Sequence, residues 1–181
     1  MFLARWRARR ANRNKIDQIH GEIVAAARDP RLYADFGVPD DLDGRFEAMS
    51  LCAGLVVRRL QALGGVGPDM AQDVVDRVFG GFEDALREMS IADAGVAKRM
   101  KSMISAFGGR NQAYDAALSA RDANGLAAAL SRNLFRAGAG PQAPGAAKLA
   151  ECVLAWSEAL DALPIESFAE GPFRFPKGDP R

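Results

Sequence analysis

The spacing of apolar residues constrains this chain more than any other feature of its sequence. Apolar side chains recur every three to four positions, which is the period of a helix with one buried face. The first clear run, Ile16 to Arg28, has Ile16, Ile19, Ile23, Val24 and Ala27 at that spacing. Alternating apolar and polar runs, which mark half-buried strands, are hard to find, whereas alanine is abundant. We therefore predict an all-α fold.

Short segments rich in glycine, proline or aspartate divide this pattern into six to eight helices. The clearest breaks are Asp29-Pro30, the connector 33–43, GGVGP at 64–68 and AGAGPQAPG at 137–145. We expect Asp43 to cap the second helix and the pair Gly108-Gly109 to interrupt the fourth. From Pro164 onward the chain contains proline, glycine and phenylalanine, and we expect this tail to lie over the surface or fray.

The length of 181 residues suits one compact multi-helix domain with a shorter segment at each end. We assign residues 1–15 to a basic amphipathic N-terminal arm, 16–163 to the helical domain and 164–181 to an irregular C-terminal tail. Cys52 and Cys152 lie far apart in apolar helical contexts, which indicates a reducing, cytoplasmic compartment. No run of about 18 uncharged apolar residues occurs, so we expect no membrane-spanning helix.

Residues that carry most catalytic and metal chemistry are scarce. His20 is the only histidine, so neither a histidine zinc site nor a Ser-His-Asp triad is expected. The glycine pairs lack the preceding strand and the lysine of a phosphate loop. We therefore predict no enzyme activity, no catalytic residue, no metal and no cofactor. The formal net charge of +1 also argues against a DNA partner.

Basic residues concentrate in the N-terminal arm, which holds six of them and no acidic residue. Apolar side chains interleave with the arginines, a composition typical of a segment at a membrane surface. The same arm also suits RNA phosphates, and a frayed basic terminus is the third interpretation. The candidates for membrane-surface contact are Phe2, Leu3, Arg5, Trp6, Arg9 and Arg10.

Charged residues crowd a junction between two helical patterns, LREMSIADAGVAKRMK at residues 86–101. Ser90 and Asp93 match a capping box, and Glu83 and Arg87 have the spacing of a helical ion pair. Lys98 and Lys101 lie one turn apart, with Arg99 beside them. Such a group is either a solvated helix face or a surface for an acidic loop, a phosphate backbone or anionic lipid.

Three stretches carry a resemblance to a known family: YADFGVPDDLDGRFE (33–47), LREMSIADAGVAKRMKSMISAFGGRNQAY (86–114) and LAAALSRNLF (126–135). Together they resemble the ubiquinol–cytochrome c chaperone family, assembly factors of the cytochrome bc1 complex in mitochondria and alphaproteobacteria. The family pattern falls on Arg45, Phe46, Leu86, Arg87, Glu88, Asp93, Val96, Lys98, Met100, Lys101, Gly109, Arg110, Tyr114 and Asn133.

The resemblance implies a non-enzymatic chaperone that binds newly made cytochrome b at the cytoplasmic face of the inner membrane. It also implies a small partner protein, and contact with the ribosome or membrane through the basic arm. The implied partner-binding candidates are Arg45, Arg87, Glu88, Asp93, Lys98, Lys101, Arg110 and Tyr114. The alternative function is a peripheral membrane or RNA-associated adaptor that uses the arm.

Overall fold

The computed structural model describes residues 2–89, 93–136 and 143–177, with side chains from Asn12 onward. Within these residues the chain forms eight α-helices and no strand, which confirms the predicted all-α fold. The helices are α1 (Phe2–Ala27), α2 (Pro30–Ala34), α3 (Leu42–Leu63), α4 (Gly67–Glu88), α5 (Asp93–Ser119), α6 (Ala123–Asn133), α7 (Ala146–Asp161) and α8 (Ile165–Ala169).

Aspartate side chains cap three of these helices. Asp29 accepts a hydrogen bond from the backbone N–H of Arg31 at the start of α2, and Asp122 accepts one from Gly125 at the start of α6. At α3 the cap is Asp41, which accepts from the Gly44 N–H at 2.8 Å. The prediction that Asp43 caps this helix is therefore wrong. Asp43 lies in the first turn, where a carboxylate favours the helix dipole.

Helix α5 runs unbroken through Gly108 and Gly109, so the predicted interruption there is wrong. Glycine in a helix interior lowers the stability of the helix by about 1 kcal/mol relative to alanine, and tertiary packing can outweigh a preference of this size. Phe107 and Tyr114, on either side of the glycine pair, are both buried. Their burial holds the helix together across the pair.

Helix α3 occupies the middle of the fold and contacts α1, α4, α5 and α7. Its residues Ala48, Cys52, Ala53, Val56 and Leu60 have no exposed surface. Helices α6 and α7 pack on each other and close one side of the core, with Leu126, Leu130, Leu149 and Val153 fully buried. The start of α3 and the length of α5 together position the candidate site.

The C-terminal tail belongs to the core as far as Phe175. Phe168 and Phe173 stack with their ring centroids 5.0 Å apart, and Phe175 meets Trp156 edge to face. All three phenylalanines are buried. Glu22 of α1 holds the segment by accepting hydrogen bonds from the Arg174 side chain at 2.7 Å and the Phe175 N–H at 3.1 Å. The expectation that the tail frays is therefore wrong over residues 164–177.

The tail phenylalanines generate a stability prediction. Replacing Phe168 by alanine leaves a cavity under α8 and should lower the free energy of unfolding by about 3–5 kcal/mol. Urea unfolding followed by circular dichroism measures this loss. A matched change at an exposed apolar position, Val66→Ala, should cost less than about 0.5 kcal/mol. Equal effects of the two variants would contradict a core role for the tail.

The unbroken α5 generates a second prediction. A methyl group added at Gly109 meets no atom within 4 Å, so Gly109→Ala should stabilise the protein by about 0.5–1 kcal/mol. The control is Gly44→Ala, because its methyl group would collide with the backbone carbonyl of Pro39 and should destabilise. The urea concentration at the midpoint of unfolding, measured for each variant, tests whether the change stabilises or destabilises the protein. A destabilising Gly109→Ala would contradict a regular helix at this point.

Candidate functional site

A cleft of about 450 Å³ lies between the start of α3 and the middle of α5. Its walls combine apolar side chains with charged ones, and Arg136, just beyond α6, closes one end. We call it the α3–α5 cleft. The residues that line it are Asp43, Phe46, Glu47, Gly95, Lys98, Arg99, Ser102, Met103, Ala106, Arg110 and Arg136.

An apolar groove adjoins the cleft on the side of α4. It is lined by Leu42, Phe82, Ala85 and Leu86, and it shares Asp43, Phe46, Arg99 and Met103 with the cleft. Phe46 and Phe82, which line this groove, are in edge-to-face contact, with their ring centroids 4.9 Å apart. Leu42 at its margin is exposed. The two depressions therefore form one surface with an apolar half and a charged half.

Ion pairs tie α5 and Arg136 to the start of α3. Arg99 meets Asp43 at 2.8 Å, and Arg136 meets Asp41 at 2.6 Å and Asp43 at 3.7 Å. The Gly44 N–H and then the Arg136 guanidinium hold the pKa of Asp41 below its usual value. Exposed pairs of this kind contribute at most about 1 kcal/mol each, so their main effect is to orient the side chains at the cleft.

A buried acid, Glu47, lies at the floor of the cleft. Its Oε1 meets Nη2 of Arg110 at 2.7 Å, and the Arg110 guanidinium lies over the Phe46 ring, 5.8 Å from its centroid. Glu47 is 5% exposed, and burial raises its pKa to about 7 although Arg110 acts in the opposite direction. The second oxygen of Glu47, Nη1 of Arg110 and Oγ of Ser50 are buried without a hydrogen-bond partner among the described residues.

Tyr114 does not line the cleft but lines a second cavity further along α3 and α5. Its side chain is buried and hydrogen-bonded to Asn133 of α6, and burial raises the pKa of its hydroxyl. Asn133 belongs to the sequence pattern that pointed to a known family. The pair therefore links α5 to α6.

The eight partner-binding candidates do not form one surface. Lys98 and Arg110 line the α3–α5 cleft, whereas Lys101 is exposed on α5 outside it. Arg45 is exposed and pairs with Asp40 at 2.6 Å. Glu88 is exposed at the end of α4. The structure thus gathers two of the eight in the cleft, and it places Tyr114, which is buried, at the second cavity.

Arg87 and Asp93 instead form a bridge across the junction between α4 and α5. Arg87 meets Glu83 at 2.8 Å within α4 and Asp93 at 2.7 Å at the first residue of α5. All three side chains are largely exposed, so the bridge fixes the junction and stays accessible. Ser90, the first residue of the predicted capping box, lies outside the described residues.

Sequence reasoning missed three residues of the cleft: Asp43 as an ion-pair partner, Glu47 and Arg136. Glu47 had no local signal, since it lies about 100° around the helix from Phe46 and so off the apolar face that the sequence predicts. Its burial comes from the other helices that pack on α3. A carboxylate at such a position is either paired or neutral when buried. Arg136 had none either, because it follows a helix end and reaches Asp41 only through the tertiary fold.

The candidates for membrane-surface contact are Phe2, Leu3, Arg5, Trp6, Arg9 and Arg10, and their side chains lie outside the described part of the structure. The backbone from Phe2 belongs to α1. Among the described residues, no group of histidine, cysteine, aspartate and glutamate side chains could hold a metal ion. Within the same residues, no helix is both long and apolar enough to cross a bilayer.

A second cavity, of about 640 Å³, lies further along α3 and α5. It is lined by Gly54, Arg58, Phe107 and Asn111, among others. Its Arg58 already pairs with Asp115 and Asp161, at 2.8 and 2.9 Å. The α3–α5 cleft differs because its buried pair keeps unmet hydrogen-bonding groups.

Comparisons with known proteins support one family. A family model described as "Ubiquinol-cytochrome C chaperone" matches residues 34–175. Among solved structures, the "Crystal structure of the Cbp3 homolog from Brucella abortus" is similar, with 38% identity and a TM-score of 0.86. The match covers 98% of this chain and 97% of that one. A search of curated proteins found no match.

The raised pKa of Glu47 predicts how stability depends on pH. Its folded value of about 7 exceeds the ordinary 4.5, so its contribution is full below pH 4.5 and is lost as pH rises through 7. The free energy of unfolding should therefore fall between pH 5 and pH 8 by about 2.5 kcal/mol more in the wild type than in Glu47→Gln. Urea unfolding at both pH values measures this. Parallel pH profiles for the two proteins would contradict it.

Proposed function

The chain belongs to the ubiquinol–cytochrome c chaperone family, and from this premise we propose that it is a non-enzymatic assembly chaperone that binds newly made cytochrome b. In doing so it supports assembly of the ubiquinol–cytochrome c reductase (bc1) complex. We place its action at the cytoplasmic face of the inner membrane, where the client emerges. A small partner protein belongs to the same proposal.

One observation carries this proposal beyond family membership: the apolar groove and the charged α3–α5 cleft are continuous. A membrane protein before assembly exposes apolar helix surface next to polar loops. A chaperone for it needs an apolar depression bordered by charges, which is the arrangement built from Phe46 and Met103 with Lys98, Arg99 and Arg136 around them. Met103 adds an unbranched side chain that adapts to differently shaped apolar surfaces.

The charges of the cleft favour an acidic client loop. Four basic residues and two acidic residues line it, and Asp43 already forms ion pairs with Arg99 and Arg136. Lys98 has no ion-pair partner among the described residues and is exposed at the mouth. Lys98 is therefore the cation available to a client carboxylate. Lys101, on the same helix but outside the cleft, is not positioned for this role.

The basic arm supports attachment near the client. In the described backbone the arm from Phe2 onward is the first part of α1, so it is helical. Each arginine near anionic lipid contributes about 1 kcal/mol to binding. In the alternative, adaptor function, the arm acts alone and no client binds at the cleft.

The primary test deletes the gene in its native host and records reduced-minus-oxidised haem spectra of the membranes. We expect loss of the b-type signal of the bc1 complex, with recovery when the wild-type gene is returned. An unchanged spectrum with normal bc1 activity would exclude the assembly function. Recovery by a chain lacking residues 1–15 would exclude the adaptor function, because that function depends on the arm.

A matched pair of variants then tests the cleft. Lys98→Glu reverses the available cation, so the returned gene should restore clearly less of the b-type signal than the wild-type gene does, because attraction to a client carboxylate becomes repulsion. Lys101→Glu makes the same change on the same helix outside the cleft and should restore the signal fully. Circular dichroism shows that both variants fold. Full restoration by Lys98→Glu would place client binding elsewhere.

A further inference from the structure

The apolar groove is smaller than the client segment that the proposed function assigns to it. Its volume is about 40 Å³, which is room for a few water molecules. A client segment brings whole apolar side chains, so the groove must widen before it can take one. The elements on its two sides therefore have to separate.

One side of the groove and of the α3–α5 cleft is formed mainly by residues 82–89 of α4 and 93–106 of α5, which we call the α4–α5 flap. The start of α3, with Asp43 and Phe46, forms the opposite side of both depressions. Movement of the flap away from α3 therefore widens the groove and the cleft together.

The flap has little buried surface. Leu86 and Val96 are its only buried residues, and neither belongs to the continuous cluster of buried side chains that forms the core. Phe82, Met100 and Met103 pack against that cluster but are only partly buried. Segments with few buried apolar contacts open at a low free energy. The flap is therefore the part of α4 and α5 that separates most easily from the core.

The flap is held together internally and is only lightly attached to α3. The Arg87 bridge described above joins the end of α4 to the first residue of α5. Across the groove, the contacts with α3 include the exposed ion pair of Arg99 with Asp43 and the edge-to-face contact of Phe82 with Phe46. An exposed ion pair adds little stability, and a single ring contact adds only slightly more. The flap is therefore suited to move as one body.

Both helices of the flap carry a glycine pair at its base. Gly80-Gly81 immediately precedes the flap in α4, and Gly108-Gly109 follows it in α5. The two pairs lie at the same level of the fold, because the neighbouring Phe79 and Phe107 are in contact, with ring centroids 5.4 Å apart. A methyl group added at Gly80, Gly108 or Gly109 would meet no atom within 4 Å, so packing does not require glycine there. Helices bend preferentially at such pairs.

We propose that the α4–α5 flap swings about these two glycine pairs and so opens the apolar groove to an apolar segment of the client. The swing separates the flap from α3, while the Phe79–Phe107 contact stays with the core and fixes the position of the hinge. Helices α4 and α5 are regular across both pairs, so this structure is the closed form. Binding then shifts the population toward the open form.

This inference rests on the proposed function only for the nature of the occupant, and the swing itself is a property of the purified chain. A hinged flap in a protein whose loss leaves bc1 assembly intact would retain the swing and exclude the proposed function. Loss of the b-type signal together with a rigid flap would do the reverse.

The first experiment measures the distance between two spin labels by double electron–electron resonance. One label is placed on the flap through Ala97→Cys and the other on α6 through Arg132→Cys, both at exposed positions. The native Cys52 and Cys152 are buried and stay unlabelled in the folded protein. We expect two distances, one for the closed and one for the open form.

The capped peptide Ac-LLALLAEE-NH2 is the probe, because its apolar run suits the groove and its acidic end suits Lys98. Its control, Ac-SSASSAEE-NH2, has the same charge and no apolar run. We expect the probe to shift the label distances toward the open form and the control to leave them unchanged. A single distance in the wild type, both with and without the probe, would overturn the proposal.

A stiffened variant separates the hinge from the stability of the fold. Gly80→Ala/Gly108→Ala/Gly109→Ala favours straight helices, so the closed distance alone should remain and the probe should bind about tenfold more weakly. Gly21→Ala makes the same change in α1, also with no atom within 4 Å, and should leave the distances and the affinity unchanged. Equal affinity of the probe for the wild type and the stiffened variant would show that the groove binds without opening and would overturn the proposal.

Amide hydrogen exchange gives a readout that helix propensity alone would not produce. In the stiffened variant, exchange should slow by about tenfold throughout the flap, including Val96 and Lys98, which lie several turns from the substituted glycines. Slowing confined to the turns at the two glycine pairs would reduce the effect to local helix propensity and exclude a flap that moves as one body.

Discussion

The burial of α3 on nearly every side is the constraint on which the rest of the structure depends. The helix contacts α1, α4, α5 and α7, so a charged residue on it must find a partner inside the protein. Glu47 finds Arg110 of α5, with Oε1 of Glu47 2.7 Å from Nη2 of Arg110. The Arg110 guanidinium also lies over the Phe46 ring, and Arg99 and Arg136 pair with Asp43 and Asp41 beside it.

The cleft shows how a stable core accommodates an unfavourable feature. A buried donor and acceptor without partners cost free energy that an apolar pair in the same place would not. The surrounding core, with Phe46, Phe79, Phe82 and Phe107 in edge-to-face contact, is well enough packed to tolerate this. Features that oppose stability and lie in a cleft are the ones expected where a protein binds something. Continuity with the apolar groove points in the same direction.

The sequence predicted the helical fold because the helical spacing of apolar residues recurs over many turns. Misreading one residue therefore does not change the predicted fold. It failed where one tertiary contact outweighs a local preference. Gly108 and Gly109 looked like a break, yet the burial of Phe107 and Tyr114 keeps the helix regular. Asp43 looked like the cap, and a shift of two residues gave that role to Asp41. Local sequence signals do not locate a helix end more accurately than within one or two residues.

The candidate site was less predictable than the fold for the same reason. Lys98 and Arg110 carried a signal through the family pattern, and both line the cleft. Asp41 and Arg136 are distant in sequence and meet only in the folded chain. The tail phenylalanines also gave no local sign of burial. The Phe175 N–H donates to Glu22 of α1 and so joins the two ends of the fold, as does Lys15, whose Nζ donates to the carbonyl of Glu170 at 2.7 Å. Because α1 also packs on α3 and α4, only the part of α1 near Lys15 and Glu22 must wait during synthesis for the tail as far as Phe175, so a truncated chain exposes that part of the core.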